Sequence, residues 1–71
     1  MLTEDVKFLD NVLVNAKFIG DVYGEVTGFG KNFIAIKVDD YTVVNIQHRD
    51  INKIVNFTRN KCIDKNQMNI K

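Results

Sequence analysis

The sequence predicts a mainly β protein: a five-stranded small barrel with a short N-terminal α-helix and a polar C-terminal tail. Three observations carry that prediction. Val and Ile number nine and eight of 71 residues, mostly from Val12 onward, where they alternate with polar residues; that is the period of a strand with one buried face. Short polar turn signals (Gly20-Asp21, Asp39-Asp40, His48-Arg49-Asp50) break the alternation into segments. Gly24, Gly28 and Gly30 fall at even positions beside Val26, so on a strand they share a face and let it bend as a barrel corner requires.

The elements follow in order. Thr3 suits a helix N-cap, with Glu4 and Asp5 in the first turn, where the helix dipole favours acids. Leu2, Val6, Leu9 and Leu13 repeat at helical spacing. A helix of about two turns cannot stand alone in water, so it must lie against an apolar surface. Strands are expected over residues 12–19, 22–29, 33–38, 41–47 and 51–57. In the first, Val12, Val14, Ala16 and Phe18 share a face. Gly20-Asp21 reads as a two-residue hairpin turn, Gly supplying a positive φ. His48-Arg49-Asp50 is too polar and short for anything but a tight turn. Residues 58–71 lose the alternation and read as a basic, mobile polar tail, leaving residues 1–57 as the single domain.

Composition excludes several classes of function. A chain of 71 residues has a small core. It contains no Ser, and Cys62 and His48 are its only Cys and His. A Ser nucleophile is impossible, a lone Cys makes no internal disulfide, and a zinc site needs about four ligands. Cys62 paired with His48 as nucleophile and base is set aside, because Cys62 lies in the polar tail. Gly-Phe-Gly-Lys is not a phosphate-binding loop, which requires GxxxxGK[ST]. No apolar run spans a membrane and no secretory leader opens the chain. The expectation is a cytoplasmic protein that is not an enzyme and uses no cofactor or metal. The net charge of +1 is unevenly spread: residues 1–48 carry −3 and residues 49–71 carry +4. A basic end on an acidic body can dock on an anionic surface, or simply solubilise the chain.

Several stretches carry a resemblance. Gly24-Glu25-Val26-Thr27-Gly28-Phe29-Gly30, Asn32-Phe33-Ile34-Ala35-Ile36, and Ile46-Gln47-His48-Arg49-Asp50-Ile51-Asn52-Lys53-Ile54 resemble the Sm/Lsm-like small β-barrel family, a branch of the SH3-like barrels, and within it the bacterial RNA chaperone Hfq. The likeness covers roughly residues 4–57. Gly30 stands where that family has Asp, and Gln47, His48 and Arg49 stand where it has Tyr, Lys and His. The resemblance implies a non-catalytic homo-oligomer that pairs the fourth strand of one subunit with the fifth of its neighbour and binds single-stranded RNA. It places Asn32 and Phe33 against a base, His48 and Arg49 on base edge and phosphate, and Lys31 as added charge. Cations for phosphate and flat rings for unstacked bases are what such binding needs. The plainer readings are Phe33 in the core, His48 as a turn residue, and Arg49 with Asp50 as a surface ion pair.

A second class of function rests on other residues. Tyr23 and Phe29 share a strand face with Glu25 and Thr27, and Tyr41 begins the fourth strand. Aromatics on a polar face suit an SH3-like protein-interaction or inhibitor module, for example an accessory protein of a phage or mobile element.

Overall fold

The alternation decides which side of each segment is buried. A computed structural model describes residues 5–64. Among these, six antiparallel strands form one sheet: β1 (Asn11–Ala16), β2 (Gly20–Phe29), β3 (Phe33–Asp39), β4 (Thr42–Gln47), β5 (Ile51–Asn56) and β6 (Lys61–Asp64). Their spatial order is β4-β3-β2-β1-β5-β6. Val12, Val14 and Ala16 of β1 turn inward with Val22 and Val26 of β2, Ile34 and Ile36 of β3, Ile46 of β4, and Ile51 and Ile54 of β5. Each Val or Ile buried in this way contributes roughly 1.5–3 kcal/mol relative to exposure. Val6 joins this core from the segment before β1, and Ile63 of β6 packs on its margin.

The long second strand serves two neighbours. Its first half, Gly20 to Glu25, pairs with β1, and its second half, from Glu25 onward, pairs with β3. A register shift between Val26 and Gly28 marks the change. At Gly24 the backbone of β3 comes so close that a Cβ would collide with the Lys37 carbonyl oxygen and lie 2.8 Å from Ile36 Cγ2. Gly28 has open space where its Cβ would be. Of Gly24 and Gly28, only Gly24 needs its missing side chain for close approach.

Four expectations are corrected. First, no α-helix forms over the described residues. Leu9 donates its N–H to the Val26 carbonyl at 2.7 Å, and the Asp10 carbonyl accepts from Val26 N–H at 2.9 Å. The segment thus extends the β1–β2 ladder, and Leu9 sits at φ 71° with half its surface exposed. Thr3 and Glu4 lie outside the described residues. Second, the sheet does not close into a barrel: β4 and β6 are its edges. Third, β1 ends at Ala16, and the connection to β2 is residues 17–19, with Phe18 at φ 68° and Gly20 at φ 87°. The positive φ of Gly20 falls at the first residue of β2, opposite Ala16, instead of opening a two-residue turn. Fourth, part of the stretch read as tail is a strand: Lys61, Cys62, Ile63 and Asp64 pair with Asn56, Val55, Ile54 and Lys53. The fifth strand is consequently no free edge. Residues 65–71 of the expected tail lie outside the described residues.

A buried polar knot fastens the chain beside the start of β1. Asp10 and Asn56 are both buried. Asp10 Oδ2 accepts from Lys7 N–H at 2.9 Å, Asn56 Nδ2 at 2.9 Å and Arg59 Nε at 2.7 Å. Asn56 Nδ2 also donates to the Asp5 carbonyl, and Asn56 Oδ1 accepts from Arg59 N–H, both at 3.1 Å. Burial alone would raise the Asp10 pKa. The donors Asn56, Arg59 and Lys7 N–H, with the Arg59 charge, outweigh it and hold the carboxyl below its ordinary value. Among the described residues no helix is long and apolar enough to cross a membrane.

Candidate nucleic-acid interface

The opposite end of β1 and β5 is built around the turn between β4 and β5. His48, Arg49 and Asp50 form one 3-10 turn, entered from extended Gln47 and left through extended Ile51, whose N–H returns to the His48 carbonyl. Two other loops clamp it. The His48 N–H donates to the Asn32 carbonyl at 2.9 Å, and the Lys17 N–H donates to the Asp50 carbonyl at 2.8 Å. The β1–β2 connection and the β2–β3 loop, at opposite ends of β2, are therefore both tied to the polar turn.

Phe33 starts β3 opposite Gln47. Its ring occupies the space where a side chain on residue 30 would stand, so Gly30 admits the ring. The Gly30 N–H donates to the Phe33 carbonyl at 2.8 Å and closes the loop. Phe33 is 37% exposed, so it is not a core residue. Asn32, Gln47, His48 and Arg49 line a shallow recess of about 360 Å³. Lys31, Asn32 and Arg49 are exposed, and His48 is half-buried. Both His48 ring nitrogens are shielded from solvent, with no hydrogen-bond partner among the described residues. Buried polar atoms are ordinarily paired, so this ring departs from the rule where three loops converge.

Of the five sequence-predicted residues, Asn32, His48 and Arg49 line the recess itself. Phe33 pairs with Gln47 beside it, and Lys31 precedes Asn32 in the loop. Sequence reasoning missed Lys17 and Phe18. Their connection is tied to the same turn, and Phe18 is 96% exposed. The available signal was Gly20, readable as the close of a longer connection as well as the start of a two-residue turn.

The aromatics of the second reading are not gathered into one groove. Phe29 pairs with Ile34 near the start of β3, whereas Tyr41 follows its far end. Tyr23 instead meets Phe57 edge to face, ring centroids 5.8 Å apart. Tyr23, Leu13, Val55 and Cys62 form a cross-strand row on the outer face. Compared with protein-family models, curated proteins and solved structures, the chain matches none.

Proposed function

We propose that this chain is a small, non-catalytic module of the Sm and SH3-like kind that binds single-stranded RNA at the end of its sheet. The observation that carries the reading is the 2.9 Å bond from His48 N–H to the Asn32 carbonyl. It holds Lys31, Asn32 and Phe33 beside His48 and Arg49, which are distant in sequence. The strand order and the tight polar turn before β5 support the kinship; the open sheet and the sixth strand are departures from a five-stranded barrel. Phe33 offers a partly exposed ring for base stacking. Lys31 and Arg49 offer charge to phosphate. His48 lines the recess, and its shielded ring nitrogens would reach a base edge only once the ring swings outward.

The test is a titration of labelled oligo-U and oligo-A, followed by fluorescence anisotropy across a range of salt. Affinity is expected to fall as salt rises, because phosphate contacts release counterions. Lys31→Gln and Arg49→Gln are each expected to reduce the salt slope by about 1. Phe33→Leu is expected to weaken binding by about 1–3 kcal/mol with little change in slope. Absence of binding at about 50 mM salt would instead favour the protein-interaction reading, which the outer-face pair of Tyr23 and Phe57 supports.

A further inference from the structure

The two edges of the sheet differ in their protection. Natural edge strands are guarded against pairing with another chain by shortness, charge, proline or bulges. Over the described residues β6 follows that rule by charge: Lys61 and Asp64 stand at its two ends. β4 does not. Its six residues, Thr42-Val43-Val44-Asn45-Ile46-Gln47, contain no charge and no proline. The register irregularity at its start falls on β3, between Lys37 and Asp39. Among the described residues β3 alone pairs with β4, so one row of its backbone groups is open. Val43 is 54% exposed along this edge, and Tyr41, just before it, is 97% exposed.

We propose that β4 is the seam of a homodimer, in which two copies pair antiparallel along Thr42–Gln47 about a two-fold axis normal to the sheet. The charges flanking the strand argue for a second copy. Asp39 and Asp40 precede β4, and Arg49 follows it. Antiparallel self-pairing sets the acidic start of each copy against the basic end of the other, twice. A two-fold centred on Val44 keeps each side chain on its own face. It brings Tyr41 toward the partner's Gln47 and Val43 toward the partner's Asn45. β6 of another copy cannot offer the same match: its Lys61 and Asp64 stand three positions apart, whereas Asp40 and Arg49 stand nine apart, so no register engages both flanks of β4 and an open head-to-tail chain is disfavoured.

This inference does not rest on the nucleic-acid reading and is tested without nucleic acid. The nuclease-treated full chain is sized by light scattering and sedimentation over a concentration series. Twice the 8.2 kDa chain mass is expected at high concentration. Val43→Lys places a lysine on the seam of both copies and is expected to raise the dimer dissociation constant about tenfold or more. Asp40→Lys and Arg49→Glu are each expected to raise it roughly tenfold, and the double variant to recover most of that loss. Hydrogen exchange on the unmutated chain is a second measurement, independent of whether a variant folds. Amides of Thr42–Gln47 are expected to gain protection as concentration rises. An 8.2 kDa particle at every concentration, a particle larger than a dimer, or a double variant no tighter than its singles overturns the proposal.

Discussion

The two ends of β1 and β5 carry similar polar side chains and treat them in opposite ways. At one end Asp10 and Asn56 are buried, and each has more than one hydrogen bond. At the other end the His48 ring nitrogens are buried and have none among the described residues. A satisfied polar network fixes a unique arrangement, whereas an unsatisfied buried group costs free energy wherever it is kept. The first end therefore reads as structure. At the second, no such network fixes the ring among the described residues.

The largest way to break this contrast is at the satisfied end. Asn56→Ala removes the donor to Asp10 and the Asp5 carbonyl and the acceptor for Arg59 N–H. It also leaves a space in a fully buried site. A loss of about 3 kcal/mol is expected from urea unfolding. Acid gives a smaller effect at the same place. Because the folded Asp10 carboxyl lies below its ordinary 3.8, its ionised form is the one folding favours. That stability is fully present above 3.8 and is lost as pH falls through the lower folded value. Asp39, lowered chiefly by the Tyr41 N–H, adds a loss in the same direction. Unfolding midpoints across an acid series are expected to fall in that window, and Arg59→Gln is expected to make the fall shallower. The smallest effect sharpens the contrast from the other side. His48→Phe replaces two unsatisfied nitrogens with an apolar ring of similar size, so unfolding free energy is expected to stay level or rise by up to about 1 kcal/mol. A marked destabilisation would mean that the imidazole has a structural role at the clamped turn.

Five of the six strands were legible because alternation of Val and Ile with polar residues directly encodes a half-buried ladder. Leu9 shows how the same reading fails. Its spacing from Val6 and Leu13 suits a helix, yet its N–H is taken by the Val26 carbonyl of a strand distant in sequence. Lys61–Asp64 escaped notice because four residues with charges at both ends carry little periodic signal. The meeting of the Asn32 loop with the His48 turn could be read, since both flank strands that pair. The Asp10–Asn56–Arg59 cluster could not: Asp10 lies more than forty positions from both partners, and neither Asp10 nor Asn56 stands out as a buried residue in its local sequence.

The bond from Arg59 to Asp10 has a practical consequence for how short the protein can be made. A fragment ending after Phe57 would keep every strand the alternation announces and still lose the guanidinium that neutralises a shielded carboxylate. It would also uncover the flank of β5. Truncation there converts a guarded border into a sticky one, so such a fragment is expected to aggregate sooner than it loses its fold.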